Sequence, residues 1–190
     1  MINTRLSVAA LGLALFLAAP AWAATKDEKR KDVRDVASNT LERLYKTEPH
    51  ARDAIARSAG YAVFSNFGMK ILFAGGGQGS GIAVNRKTNQ ETFMKMVEVQ
   101  AGLGIGVKKF RLVWVFETAS KLDDFINKGW ELGAQATASA QVSGQGTQLY
   151  AGALSVSPGV WLYQLTDDGL AVELTAKGTK YYKDSDLNAP

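Results

Sequence analysis

The segment Gly75-Gly76-Gly77-Gln78-Gly79-Ser80-Gly81 carries the pattern that decides the fold. Glycine occupies every second position from Gly77 to Gly81, and the same alternation recurs at Gly102, Gly104 and Gly106. Alternate residues of a strand share one face, so each segment predicts a strand with one face free of side chains. Glycine weakens a strand unless another group approaches closely. These faces are expected to receive a helix, an aromatic side chain such as Trp114 or Trp130, or a ligand, or else to allow tight packing in a strongly bent sheet.

Short runs rich in β-branched and aromatic residues lie around the glycines and predict further strands. The polar turn Arg86-Lys87-Thr88-Asn89 between two of the runs predicts a hairpin. A short helix is expected over 117–128, ended by Gly129. Successive strands joined by short turns favour antiparallel pairing, so we predict an α+β fold: a curved antiparallel sheet or partly closed barrel with N-terminal helices packed against it. The expected strands are 61–64, 71–73, 80–85, 91–100, 103–107, 110–116, 130–140, 150–156, 159–165 and 170–176.

Two helices are expected before the first strand. Apolar residues recur at helical spacing over 26–46, and Thr25 is a suitable N-cap. Pro49 suits the start of a second helix that ends near Ser58. The chain therefore divides into a helical head (26–58), a glycine-rich β body (61–182) and a loose tail (183–190).

The first 23 residues are typical of a signal peptide. Arg5 supplies a positive start, the apolar run over 8–19 is short for a membrane span, and Ala21-Trp22-Ala23 fits a cleavage site. We expect cleavage near Ala23 and a single periplasmic or secreted domain of residues 24–190; the alternative is a retained N-terminal anchor helix. Because the chain has no cysteine, a cysteine-anchored lipoprotein and any disulfide are excluded.

Composition and single residues exclude several classes of function. The formal net charge of +4 is far too small to indicate a nucleic-acid partner. A phosphate-loop interpretation of 75–81 fails because no Lys-Ser or Lys-Thr pair follows in register. His50 is the single histidine, so neither a metal site with several histidine ligands nor a secure Ser-His-Asp triad can be assembled. We expect no enzyme, no cofactor and no metal.

Several motifs, in their order and spacing, resemble the SYLF (Ysc84-type) domain family over about 33–188. The resemblance implies membrane-lipid binding: eukaryotic relatives look like phosphoinositide-binding modules that also contact actin, with a basic, amphipathic N-terminal segment at the lipid. This chain differs in having an export signal and no SH3 or FYVE domain, and is similar to a bacterial exported member. The motifs are Ala59-Gly60-Tyr61-Ala62-Val63-Phe64, the glycines of 75–81, Gly102-Leu103-Gly104-Ile105-Gly106, 112–116, 125–133 and Gly178-Thr179-Lys180-Tyr181-Tyr182.

The helix expected over 26–46 has the character that the resemblance implies. Val33, Ala37, Leu41 and Leu44 share one face, and basic residues flank it. Such side chains can reach lipid phosphates while the apolar stripe enters the interface. The alternative is an ordinary helix packed on the sheet with its charges solvated. The candidate lipid-binding residues are Lys26, Lys29, Arg30, Arg34 and Arg43.

Two functions follow. The first is a non-enzymatic module of the cell envelope that binds an anionic, phosphoinositide-type membrane surface through this helix. The second is an envelope structural or protein-interaction module, with a protein partner and no direct lipid contact.

Overall fold

Both N-terminal helices form where the sequence predicts them. The computed structural model describes residues 24–71, 74–101, 106–132, 148–166, 169–170 and 178–190. Helix α1 spans Lys26–Thr47, and helix α2 spans His50–Arg57 after Pro49. The Thr25 hydroxyl accepts from the Glu28 main-chain N–H, and the Glu28 carboxylate accepts from the Thr25 N–H, so a reciprocal capping box fixes the start of α1.

One antiparallel sheet contains every strand in the described part of the chain. Its order is β5-β9-β3-β2-β1-β4-β7-β6, with β8 paired to β7, and it curls into a half-barrel, as the sequence predicts. The described residues also contain two further helices, α3 (Ala119–Lys128) and α4 (Ser185–Asn188), and a 3₁₀ turn at Gln148–Tyr150. The strands are β1 Gly60–Ile71, β2 Ala74–Asn85, β3 Glu91–Ala101, β4 Gly106–Phe116, β5 Trp130–Leu132, β6 Leu154–Ser157, β7 Val160–Thr166, β8 Gly169–Leu170 and β9 Gly178–Lys183.

The limits of some elements differ from the prediction. The predicted short strand 61–64 continues to Ile71, because β1 pairs along its whole length with β2. The start of the predicted strand 150–156 is instead the 3₁₀ turn. The predicted signal peptide, Gly102 and Gly104, and most of the predicted strands over 130–140 and 170–176 lie outside the described residues.

Each face of the sheet carries its own apolar core, because side chains alternate along every strand. Val63 and Val113 belong to the core beneath α1 and α2, with Leu44 of α1 fully buried. Phe64 and Trp114 lie on the opposite face and pack around α3. There the rings of Trp114 and Phe125 lie 5.3 Å apart, and those of Phe64 and Tyr181 4.9 Å apart. Helix α3 thus packs on one face of the sheet, and α1 covers the other.

The glycine alternation of β2 allows tight internal packing, one of the outcomes that the sequence left open. Gly77, Gly79 and Gly81 all lie on β2, as predicted. A Cβ at Gly79 would lie 2.5 Å from the Ser65 main-chain oxygen and 2.6 Å from Cγ of Met96. The neighbours of the bare face are therefore main-chain and side-chain atoms of adjacent strands. Of the second set, Gly106 begins β4.

The prediction of a loose tail over 183–190 is wrong. The Asp184 carboxylate caps α4 by accepting from the main-chain N–H groups of Asp186 (2.9 Å) and Leu187 (3.1 Å). Leu187 is buried in the core beneath α1. The Asn188 amide donates to the Phe93 carbonyl oxygen at 2.7 Å, and its oxygen accepts from the Phe93 N–H at 3.0 Å. These contacts attach the segment to β3 and make it part of the fold.

Candidate functional site

The five predicted lipid-binding residues do not form one patch. Lys26, Lys29, Arg30 and Arg34 lie in the first turns of α1, whereas Arg43 is about 20 Å farther along the helix axis from Lys29. Arg43 donates to the Thr166 carbonyl oxygen at the end of β7. The structure thus brings four of the candidates to one end of α1 and places the fifth near the other end.

Most of these cations have partners within the protein. Arg30 donates to the carbonyl oxygens of Leu187 (2.9 Å) and Ala189 (2.6 Å) and lies 3.1 Å from Asp27. Arg34 pairs with Glu91 at 2.7 Å, and its guanidinium lies 5.1 Å from the centre of the Phe93 ring. Arg30 and Arg34 therefore hold α1 against the C-terminal segment and β3.

Lys26 and Lys29 differ from these arginines. Both side chains are exposed, and neither forms an ion pair with any carboxylate of the described ranges. The Lys26 ammonium lies 3.4 Å from the Pro190 main-chain oxygen, which accepts its hydrogen bond. The start of α1 therefore presents two positive charges without a carboxylate partner, while Asp27 and Glu28 take part in local bonds.

The apolar stripe of α1 belongs to the core. Ala37 and Leu44 are buried, and Val33 and Leu41 pack at the edge of the same cluster. The apolar face of α1 is thus packed on the sheet, as the alternative interpretation of the sequence predicts. Insertion of the stripe into a membrane would require α1 to leave the sheet.

An open cleft of about 900 Å³, which the sequence analysis did not predict, lies between α1 and the sheet. Val33, Val36 and Ala37 of α1 line one side. Its floor is a row of residues paired in register across six strands, so their side chains lie on one face. From β9 to β7 the row reads Tyr182, Lys95, Ser80, Ser65, Arg111 and Leu165.

The two cations of this row have different surroundings. The Lys95 ammonium lies 3.1 Å from the Asp184 carboxylate and 3.6 Å from that of Asp186. The hydrogen bond to Asp184 raises the pKa of Lys95 and keeps it charged. The Arg111 guanidinium makes no hydrogen bond or ion pair with another residue that the structure describes. Arg111 and the hydroxyls of Ser65 and Ser80 thus form a group of hydrogen-bond donors that is available to a ligand.

His50, the single histidine, has one carboxylate beside it. Nδ1 of His50 lies 2.9 Å from Oε1 of Glu48, and the imidazole is half exposed at the start of α2. Within the described ranges no three His, Asp or Glu side chains are grouped so as to hold a metal ion. None of the helices in those ranges is long and apolar enough to cross a membrane.

Comparison with known proteins identifies the family. Residues 97–190 match the Ysc84 family, described as Las17-binding protein actin regulator. Beta cell expansion factor A of Aeromonas veronii is 32% identical over 164 residues, which cover 86% of this chain and 60% of that protein. Residues 97–190 form a SYLF, or Ysc84, domain.

SYLF membership supports a binding module, since the family is one of lipid- and actin-binding domains. The region matched by the family model contains Arg111 and the C-terminal segment, whereas α1 lies before it. The chain spans 60% of the length of Beta cell expansion factor A.

Proposed function

We propose that this SYLF protein is a non-enzymatic module that binds an anionic lipid surface of the cell envelope through the first turns of α1. The observation that carries the proposal is the pair of exposed ammonium groups, Lys26 and Lys29, which no carboxylate of the described residues neutralises. Family membership supports a lipid as the ligand. The typical signal-peptide pattern of residues 1–23 supports a periplasmic or secreted location.

The contact is peripheral and electrostatic. Because the apolar stripe of α1 is packed on the sheet, the basic side chains would reach the headgroups from the protein surface. A lysine near an anionic membrane contributes about 1 kcal/mol, and salt screens that contribution within a Debye length. Binding of this kind is modest, requires anionic lipid and weakens with salt. It does not select one headgroup, so phosphoinositides would bind as one class of anionic lipid among others.

A protein partner in the envelope is the second candidate. The family description as Las17-binding protein actin regulator and the buried stripe of α1 both favour it. In that case the exposed lysines would contribute only to solubility, and the chain would not distinguish anionic from neutral membranes.

Vesicle flotation of residues 24–190 separates the two candidates. Vesicles of phosphatidylcholine alone are compared with vesicles that also contain phosphatidylglycerol, at low and high salt. The lipid proposal expects recovery with the anionic vesicles at low salt only. Recovery near zero with both kinds of vesicle would contradict it.

A further inference from the structure

The floor of the cleft brings three hydrogen-bond donors together. Ser80 pairs with Ser65, and Ser65 pairs with Arg111, in the registers of β2, β1 and β4. Residues directly opposite in an antiparallel pair have Cβ atoms about 5 Å apart. Two hydroxyls and one guanidinium are therefore side by side on the face that α1 covers.

Among the described residues this donor group has no acceptor, whereas Lys95 beside it in the row has two. The carboxylates of Asp184 and Asp186 form ion pairs with the Lys95 ammonium. Arg111 is partly buried and has no acceptor among the residues that the structure describes. A partly buried guanidinium favours an anion, and its planar donors match carboxylate or phosphate oxygens. The floor beside Arg111 thus suits an oxyanion.

The apolar walls of the cleft favour a ligand that has a hydrocarbon part as well as an anionic group. Val33, Val36 and Ala37 line the helix side of the cleft, and Leu165 and Leu187 add apolar surface. A volume of about 900 Å³ is within the range of small-molecule sites. A hydrocarbon alone would leave Arg111 without an acceptor, and inorganic phosphate would leave the apolar wall uncovered.

We propose that the cleft binds a single anionic amphiphile, with its oxyanion headgroup at Arg111, Ser65 and Ser80 and its aliphatic chain along α1. The ligand is a free fatty carboxylate or a phosphate-bearing lipid, which share this chemistry. The site deepens the lipid-binding proposal from a surface contact to the capture of one molecule. It does not depend on Lys26, which is absent from the cleft lining.

Calorimetric titration of residues 24–190 with soluble eight-carbon ligands tests the ligand class. Octyl phosphate and octanoate carry the two oxyanions, while octanol and inorganic phosphate each lack one half of the chemistry. We expect saturable binding of one molecule for at least one of the two anionic amphiphiles, and the stronger of them identifies the headgroup. Octanol and inorganic phosphate should bind at least about tenfold more weakly. Equal affinity for octanol, or no saturable binding of either anionic amphiphile, would overturn the proposal.

Variants then test the location. Arg111→Gln should weaken binding of the preferred amphiphile about tenfold or more, because one charged hydrogen-bond donor is lost. Arg57→Gln removes an exposed arginine outside the cleft and should bind as the parent does. If Arg111→Gln does not fold, Ser80→Leu provides the test. Its larger side chain, at an exposed position of β2, would fill the site and should abolish binding. Parent-like affinity in a folded Arg111→Gln, or in Ser80→Leu, would refute the site.

The outcome is separable from that of the surface proposal. Arg111→Gln should still float with anionic vesicles, while Lys26→Glu, which lies outside the cleft lining, should still bind the soluble amphiphile. Loss of amphiphile binding in Lys26→Glu, with Arg111→Gln unaffected, would place the single-molecule site on the helix surface and contradict the cleft.

Discussion

Gly81 lies directly opposite Phe64 on the neighbouring strand, and a Cβ at position 81 would overlap the Phe64 ring and the Val63 carbonyl oxygen. Gly81→Val should therefore destabilise the protein by about 1–3 kcal/mol or more through overpacking, because the ring is fully buried and has no room to move. Urea unfolding measures the change.

Ser80→Val is the matched control for this substitution. Ser80 is the adjacent residue of β2, points to the opposite face and is exposed. A β-branched residue suits such a position, so its free energy of unfolding should change by less than about 0.5 kcal/mol. Equal midpoints for Gly81→Val and the parent would disprove the tight packing of the bare face.

The stability of the fold should fall above pH 10. Burial, together with the nearby Glu117 charge, raises the pKa of Tyr150 from 10.0 to about 12, and burial also raises the pKa of Tyr163. Below pH 10 both tyrosines are neutral whether the chain is folded or unfolded. Between pH 10 and 12 the unfolded chain releases protons that the folded protein retains, so the free energy of unfolding decreases. Urea midpoints measured across this range follow the decrease.

Tyr163→Phe should reduce the alkaline decline without cost at neutral pH. The Tyr163 hydroxyl is buried and has no hydrogen-bond partner among the described residues, so its removal should be neutral or stabilising by up to about 1 kcal/mol. Tyr150→Phe is the comparison: it also removes an ionisable group but loses a hydrogen bond to Glu117, and should be less stable than the parent at pH 7. If the free energy of unfolding falls as steeply above pH 10 in Tyr163→Phe as in the parent, Tyr163 does not cause the decline.

The C-terminal segment should contribute measurably to stability through Asp184. Asp184→Ala removes the cap of α4 and the partner of Lys95 together, and the expected cost is about 2 kcal/mol. Asp186→Ala changes an exposed carboxylate in the same segment and should cost less than about 0.5 kcal/mol. Urea unfolding compares the two. A loose tail would instead make both substitutions neutral.

Local signals explain which parts of the fold could be predicted. The spacing of Val33, Ala37, Leu41 and Leu44 predicts α1 with its buried face, and the alternation from Gly77 to Gly81 predicts a strand packed closely on its neighbours. In both cases the information lies within a few residues. The fold class follows from such local patterns and from the short turns between them.

The C-terminal segment and the cleft depend on contacts distant in the sequence. Asp184 pairs with Lys95 across 89 positions, and a helix of four residues has almost no periodic pattern. The row of Ser80, Ser65 and Arg111 requires the registers of three strands, and a slip of one residue would place these side chains on the opposite face. Polar residues at positions that continue an apolar face, such as Ser65 after Val63, were the one available signal.

Charge reversal at the start of α1 tests the central claim most directly. Lys26→Glu/Lys29→Glu should lower recovery with anionic vesicles at least about tenfold, because each reversal replaces an attraction by a repulsion. Arg57→Glu/Lys87→Glu makes the same change of net charge at two exposed positions outside α1 and should float as the parent does. Binding that persists unchanged in the α1 variant, or that is lost equally in both variants, would show that α1 does not make the lipid contact.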